Sequence, residues 1–572
     1  MTPSAGRGGA LRGPGGERRA AVAGAIAAAA WIALCARWFD GPHRGEVLSR
    51  VPPEFLALVL LMAGAAWLTA RRGSLVAMAD TRSPWRLGLA VALAFAFRLP
   101  LAWHGGAGYV TADGALSGIV ALRIREGLEH LVFVPHVPYS GSLKSHLAAA
   151  LGLFMDMPRA FALASVLFYC VFVAAAFLLA ERGFRRSDLA LATGLYLAFA
   201  PAFVTRYSLS NDGNYVEVLA LGSSALLAVV AWDEDRSRRA LPMLAGLLLG
   251  LAFWCHILAV IHVAAAGLFL LAARRAALSA VVRVLGGFAL GYTPGLLWNA
   301  ANGGESFRYL LPGGTPVEGA VATPLHYKAW ALLSDHAVVL AGYDPGYGGA
   351  ADFALRIAAV SALTAAAWAA VDSRSAISPA LRAVLLLALV NVAVAAAALP
   401  HIPGNPRYLL FSILTLAVLL ARIAAERWGR PLLAVLVIAG AVGSWAQAPA
   451  TVRADAQWRR FVGDLEDGGV RWCYTDFYLA TKINFLSGER VVCSSKLGPT
   501  TTEYFFDYRA AVDGAPAAAL VAVNPTAAEK LERRLDRLGV TFERRELMKP
   551  VVLPSRKVDP GEIFPGRDFP LR

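Results

Sequence analysis

A single acidic side chain, Asp113, stands just before a stretch, 114–127, whose apolar residues recur at helical spacing. Two roles suit a carboxylate at this position. Position alone favours an N-cap, because the Asp side chain accepts backbone N–H bonds at a helix start. A carboxylate at a membrane–water boundary could also take a proton from a hydroxyl nucleophile. The two roles are compatible, so Asp113 is a candidate helix cap, general base or both.

Three further charged residues lie where apolar runs begin or continue. Glu217 opens an apolar run, where an acid is costly and commonly functional, although it could also be a simple helix-start charge. Arg407 follows a Pro-Gly-Asn-Pro turn, and its guanidinium is suited to grip a phosphate with two hydrogen bonds. Arg98 lies inside an apolar run and could bind phosphate or extend to the membrane surface. Glu217, Arg98 and Arg407 are therefore candidate substrate-binding residues.

The composition indicates a polytopic membrane protein. Of 572 residues, 57% are hydrophobic and 16% are charged, and the charges are bunched between long apolar runs. The net charge of +14 comes largely from arginines that flank these runs. No groove-reading or base-stacking module is visible, so we expect membrane lipid and no nucleic acid among the partners.

Runs of about twenty mostly apolar residues are long enough to cross a bilayer. They predict about thirteen transmembrane helices. The predicted spans are 20–38, 54–70, 87–103, 160–180, 189–204, 216–232, 240–255, 257–273, 281–298, 353–371, 381–399, 408–425 and 432–446.

Arginine clusters fall on one side of this arrangement, which the positive-inside rule assigns to the cytoplasm. The N terminus is then inside and the C terminus outside. This orientation requires 240–273 to be a hairpin that turns near 254–256, since a single long helix would reverse everything after it.

The chain then divides into three parts. Residues 1–19 form a disordered basic tail, and 20–447 form the membrane domain with outer loops 105–159 and 302–351. Residues 448–572 alternate strand and helix patterns, which predicts a small α/β domain outside the membrane. Cys473 and Cys493 fall there and could pair in an oxidising compartment. In the first loop, 114–127 is predicted to be an amphipathic helix on the outer membrane surface.

A family resemblance is carried by motifs that occur in order along the chain. The segment TADGALSGIVALRIREGLEHLVFVPHVPYSGSLKSHLAAAL occupies 111–151. NYVEVLALG, GLLLGLAFWCHILAV, GYTPGLLWNAANGG, RYLL and FLSGERVVC follow at 214–222, 246–260, 291–304, 407–410 and 485–493. From about residue 87 onward, the chain resembles bacterial C-type membrane glycosyltransferases related to glycosyltransferase family 39.

The resemblance implies an all-α polytopic membrane domain with a small C-terminal α/β domain outside the membrane. It also implies inverting transfer of a hexose or pentose from a polyprenyl-phosphate donor to a glycan, lipid or protein acceptor. The reaction would take place at the outer face of the bacterial cytoplasmic membrane, with Asp113 as the base. Tyr139 lies in the family's Tyr-x-Gly-Ser-Leu turn and is expected to contact the substrate.

Two positions depart from the family pattern. Gly114 replaces the second acid of an Asp–Glu pair, and Lys144 stands where relatives often have Glu. Lys144 could serve the leaving phosphate or be a surface lysine. No cofactor is assigned, and a divalent metal ion is left open.

Two other functions share the lipid carrier. A transporter or flippase of lipid-linked glycans would show inverted repeats and sites near the bilayer midplane. No clear repeat is visible, and the candidate residues gather at the outer edge. A ligase that transfers whole glycans is the other alternative. The sequence leaves the sugar and the acceptor open.

Overall fold

The structure is a computed structural model that describes residues 80–128, 131–135, 137–210, 212–272, 278–308, 323–343, 349–372, 377–398, 406–497 and 503–565. The basic tail 1–19 and the first two predicted spans, 20–38 and 54–70, lie outside the described residues.

Helices dominate the described chain. In order they are α1 (Pro84–Gly105), α2 (Ala112–Arg125), α3 (Leu143–Leu151), α4 (Met157–Phe184), α5 (Ser187–Ala198), α6 (Ala202–Tyr207), α7 (Tyr215–Glu234), α8 (Leu241–Cys255), α9 (Val260–Ala272), α10 (Leu278–Gly291), α11 (Thr293–Ala301), α12 (Glu305–Arg308), α13 (Leu325–Ala331), α14 (Ala337–Leu340), α15 (Gly349–Asp372), α16 (Pro379–Ala398), α17 (Ile413–Ile423), α18 (Gly429–Asp467), α19 (Phe477–Leu486), α20 (Phe506–Gly514), α21 (Pro525–Arg537) and α22 (Pro560–Ile563). The strands are β1 (Phe133–Val134), β2 (Val137–Gly141), β3 (Trp472–Tyr474), β4 (Val492–Ser494), β5 (Ala519–Val521), β6 (Phe542–Glu546) and β7 (Pro550–Pro554).

Seven helices of the described chain are long and apolar enough to cross a membrane. They are α1, α4, α7, α15, α16, α17 with the 3₁₀ turn before it, and α18. The pair α10 and α11 is bent by 66° and would make an eighth span if it crosses as one. The predicted spans 189–204, 240–255 and 257–273 correspond to shorter helices. The count of thirteen is therefore not confirmed.

The stretch 240–273 does turn back on itself as predicted. His256 separates α8 from α9, and its ring lies 5.2 Å from that of Tyr215 at the first residue of α7. At the far end of α7, Asp233 lies 3.7 Å from Arg382. The same guanidinium lies over Phe269 near the end of α9, 4.9 Å from the ring centre. Because α9 returns to the end of α7 from which α8 departs, both ends of the stretch lie at one end of the bundle.

The predicted amphipathic surface helix is wrong. Residues 114–124 of α2 are all buried, because α3 and α4 cover one side and α19 covers another. Even Arg123 is buried, where Glu489 and Asp507 neutralise it at 3.2 and 2.6 Å. The covering residues come from the far end of the chain, so the local pattern around 114–127 could not reveal them.

The C-terminal region contains a five-stranded sheet in the order β4-β3-β5-β7-β6. Strand β3 is parallel to β4 and β5, whereas β7 is antiparallel to β5 and β6. Cys473 and Cys493 are register partners on β3 and β4 and form a disulfide. Strands and helices alternate as predicted; that 448–572 is a separate domain outside the membrane stays a prediction.

Candidate active site

Asp113 lies in the first turn of α2 rather than at its cap. The cap is Thr111, whose Oγ1 accepts a hydrogen bond from Gly114 N at 3.2 Å, so the N-cap interpretation of Asp113 is wrong. The side chain of Asp113 is exposed although Ala112 and Gly114 on either side are buried. A negative charge in the first turn is favoured by the helix dipole. The structure therefore presents this carboxylate to the outside of an otherwise buried helix.

Two contacts fix α2 in place. Ser145 Oγ on α3 donates to Ser117 O, one turn along from Asp113, at 3.0 Å. On another side, Gly118 lies against the ring of Phe485 so closely that a Cβ there would be 2.4 Å from Phe485 Cε2. Since both contacts lie within two turns of Asp113, the position of its carboxylate depends on α3 and on the C-terminal region.

Next to Ser145, Lys144 forms a buried ion pair with Glu217. The distance from Lys144 Nζ to Glu217 Oε1 is 3.1 Å, and the two side chains are 1% and 0% exposed. Among the described residues, neither carboxylate oxygen of Glu217 accepts a hydrogen bond besides this ion pair. The surface-lysine alternative for Lys144 is wrong. Both charges have lost their hydration, so each depends on the other.

Asn214 joins three segments around this pair, and sequence reasoning missed it. Its Nδ2 lies 3.0 Å from Ser140 Oγ, 2.7 Å from Gly141 O and 3.0 Å from Cys255 O. The backbone of Asn214 is left-handed, with φ of 53°. Asn tolerates that conformation better than most residues, which is the one local signal that could have identified it.

An aromatic cluster surrounds the N-terminal end of α7. The ring of His256 lies 5.6 Å from Tyr139 and 5.2 Å from Tyr215. His256 Nδ1 accepts from Leu258 N at 3.1 Å, a structural role. Arg407 is half-buried and close to Tyr215, and its guanidinium lies 5.4 Å from the ring centre of Tyr408. Tyr139, Glu217 and Arg407 are thus brought to one end of the bundle, and Lys144 joins them through its ion pair.

The contacts of Arg98 are structural and lie in another part of the bundle. It is fully buried, with Nε 2.7 Å from Ser208 Oγ and Nη1 2.7 Å from Ala198 O at the end of α5. Its guanidinium also stacks on Tyr169 at 3.9 Å. These contacts satisfy backbone and hydroxyl oxygens at the break between α5 and α6. We therefore leave Arg98 out of the proposed site.

The donor set around Asp113 does not suit a metal ion. Within the described ranges, no three His, Cys, Asp or Glu side chains come close enough to hold one. Gly114 contributes no second carboxylate beside Asp113. The chemistry available here is that of one exposed carboxylate, Asp113, with the cation Lys144 on the adjoining α3 and the cation Arg407 near the start of α7.

Comparison with known proteins agrees with this architecture. Residues 146–298 match the family model described as dolichyl-phosphate-mannose-protein mannosyltransferase. ArnT from Cupriavidus metallidurans bound to undecaprenyl phosphate has a similar fold, with a TM-score of 0.57 at 13% identity, over 83% of this chain and 98% of that one. The apo state of ArnT gives 0.50 at 14% identity, over 77% and 93%. No curated protein sequence matches at a significant level.

The resemblance to C-type glycosyltransferases related to family 39 is thereby confirmed. The family match covers part of the membrane domain, and the structural likeness extends over most of the chain. At such low identity the structural comparison establishes the fold and leaves the role of each residue to be argued from this chain.

Proposed function

We propose that this protein transfers a sugar from a polyprenyl-phosphate donor to an acceptor hydroxyl at the outer face of the bacterial cytoplasmic membrane. The observation that carries the proposal is the placement of Asp113. Its carboxylate is exposed on a helix that is otherwise buried, and a chain of contacts through Ser117 and Ser145 leads to the buried Lys144.

The reaction is a single displacement. The acceptor oxygen attacks the anomeric carbon on the face opposite the phosphate, and the bond from that carbon to the phosphate oxygen breaks. Asp113 takes the proton of the acceptor hydroxyl, which makes the oxygen a better nucleophile as the new bond forms. Polyprenyl phosphate leaves with the bonding electrons, and the configuration at the anomeric carbon inverts.

Cationic groups offset the charge that develops on the leaving phosphate. Arg407 is the first candidate, because its guanidinium can form two parallel hydrogen bonds with phosphate oxygens. Lys144 is the second, if a donor phosphate competes with Glu217 for its ammonium group. Tyr139, in the aromatic cluster at the start of α7, would contact the sugar.

Two observations support the donor and the location. ArnT, which shares the fold, has been solved with undecaprenyl phosphate, a polyprenyl phosphate. The Cys473–Cys493 disulfide is the kind of bond that persists outside the cytoplasm. This agrees with a C-terminal region at the outer face of the membrane. A lipid-linked sugar donor can also reach a site at that face while its prenyl tail stays in the bilayer.

The test of the proposal is turnover of defined donors. Purified protein in nanodiscs would receive a panel of undecaprenyl-phosphate hexoses and pentoses together with envelope extract as acceptor. We expect release of undecaprenyl phosphate from at least one donor, with an inverted anomeric configuration in the product. A transporter would instead move the intact donor across a proteoliposome bilayer without breaking the glycosidic bond. Movement without release would refute the enzyme.

Orientation can be tested separately with alkaline phosphatase, which is active only outside the cytoplasm. A fusion after residue 565 should be active, and a matched fusion after Arg239, on the predicted inner side, should be inactive. The reverse pattern would overturn the proposed orientation.

A further inference from the structure

A cavity of about 790 Å³ opens at one edge of the C-terminal sheet, and Asp113 is not among the residues that line it. Its floor follows the carboxyl ends of parallel strands. Asp476 and Phe477 come after β3, Ala522 and Val523 come after β5, and Leu497 comes after β4. The volume is typical of a site for a small molecule.

The topology explains why a crevice forms there. From β3 the chain passes through α19 to β4 on one side, whereas from β5 it passes through α21 toward β6 and β7 on the other side. Because the two connections leave in opposite directions, a gap is left above the adjacent ends of β3 and β5. Ligands of open α/β sheets bind in such gaps.

One wall of the cavity is strongly basic. Lys530, Arg533, Arg534 and Arg537 lie at three- and four-residue spacing on α21, so they share a face of that helix, and all four line the cavity. Asp476 is the one acid in the lining. Burial raises the pKa of Asp476, which favours its neutral form.

Three of these four basic side chains have no acidic partner within the part of the chain that the structure describes. No carboxylate of the described residues lies within 4.0 Å of the cationic groups of Lys530, Arg533 or Arg537. Cations elsewhere on the sheet are paired: Arg544 with Glu532 at 2.9 Å is one case. Glu532 also lies on α21, but it pairs with Arg544 on β6 and is not among the residues that line the cavity.

Aromatic rings line the same cavity. Phe477 is buried, Tyr478 is exposed, and Phe564 closes one side. The position of Phe564 is fixed by Arg534, whose Nη1 donates to Ile563 O at 2.5 Å and whose guanidinium lies 4.7 Å from the ring. Rings beside cations suit a ligand that combines a cyclic group with an anion.

We propose that this cavity is a second binding site, which takes a phosphate ester of a sugar or of a smaller polyol such as glycerol. The phosphate would lie against Arg533 and Arg537, with Lys530 beside them, and the sugar ring would contact Phe477 and Tyr478. The phosphate could belong to a soluble sugar phosphate or to a lipid headgroup. The site is distinct from the one proposed for the transfer reaction, since Asp113, Lys144 and Arg407 are not among the residues that line the cavity.

The test measures binding to the full chain in detergent by isothermal titration, with glucose 1-phosphate, inorganic phosphate and glucose as probes. A second arm uses nanodiscs that contain phosphatidylglycerol or phosphatidylcholine. The double variant Arg533→Gln/Arg537→Gln removes two charge-assisted contacts, so binding should weaken at least roughly tenfold. The matched control is Arg545→Gln, which removes an exposed cation from β6, where it is paired with Glu543; binding there should be unchanged.

Saturable binding of glucose 1-phosphate, stronger than that of glucose and lost in the double variant, would support a soluble source. Preference for phosphatidylglycerol with the same dependence on Arg533 and Arg537 would support a lipid headgroup. Absence of saturable binding in both arms would overturn the proposal. An equal loss of binding in Arg545→Gln would also overturn the proposal, because binding would then depend on the net charge of the domain and not on these two arginines.

Discussion

The environments of the cations differ between the end of the helix bundle where α7 begins and the edge of the C-terminal sheet. Lys144 is buried and its counter-charge, Glu217, lies 3.1 Å away. Lys530, Arg533 and Arg537 are exposed and face a cavity with no described carboxylate in ion-pair range. A buried charge requires a partner because water is absent, whereas an exposed charge does not. The Lys144–Glu217 pair is therefore neutral before a ligand arrives. At the edge of the sheet, the counter-charge is left to the ligand.

The largest effect on stability should come from breaking the buried pair. Lys144→Met leaves Glu217 charged and without its partner, and should lower the free energy of unfolding by about 3–5 kcal/mol. Lys144→Met combined with Glu217→Leu should recover most of that loss, because no uncompensated charge remains. Denaturant unfolding in detergent measures both.

Lys530→Met is the control from the other region and should change stability by no more than about 0.5 kcal/mol. A double variant at 144 and 217 that loses as much as the two single variants together would show that the pair is not coupled. The contrast between the two regions would then fail.

The second region also contains a buried acid, and there we expect a pH effect. Burial raises the pKa of Glu503 to about 7, against an ordinary value of 4.5. The folded protein then holds a proton that the unfolded chain has released between these values. Stability from this group is present below about pH 4.5 and is lost as the pH rises to 7, by up to about 3 kcal/mol.

Between pH 5 and 8, the melting temperature of Glu503→Gln should change less with pH than that of the wild type. Glu529→Gln, which alters an exposed acid, should leave it unchanged. An equal slope in wild type and Glu503→Gln would contradict the assignment.

The smallest of these effects tests how the two regions are joined. Gly118→Ala places a methyl group where Phe485 packs, and overpacking of this kind costs about 1–3 kcal/mol. In Gly118→Ala/Phe485→Leu, the smaller leucine side chain should recover part of the lost stability. Gly463→Ala has no atom within 4 Å of the added methyl group and should be neutral or slightly stabilising. Equal behaviour of the two glycine variants would show that α2 is not held by the C-terminal region.

Features that depend on neighbouring residues were accessible from the sequence. The hairpin at 254–256 followed from arginines at both ends of one apolar stretch, and the structure confirms it. The alternation of strand and helix patterns predicted for 448–572 is also present in the structure, where α21, for example, spans Pro525–Arg537. These features depend on local periodicity and charge, which can be read directly from the sequence.

Contacts between distant segments were not accessible. Lys144 and Glu217 were each identified alone, but nothing local to either shows that two residues 73 positions apart in the sequence meet. The burial of α2 depends on α19 and on Glu489, more than 350 residues later. Without that cover, a run whose apolar residues recur at helical spacing beside charged residues has the pattern of a surface helix, which is why that prediction was wrong.

The central claim, that Asp113 is the base of a sugar transfer, is tested most directly by the turnover of Asp113→Asn. Asparagine keeps the size of the side chain but cannot accept the proton, so release of undecaprenyl phosphate should fall by about 10²–10⁴-fold. Glu126→Gln, an exposed acid at the other end of α2, is the matched control and should turn over at the wild-type rate. Wild-type turnover in folded, membrane-inserted Asp113→Asn would contradict the account.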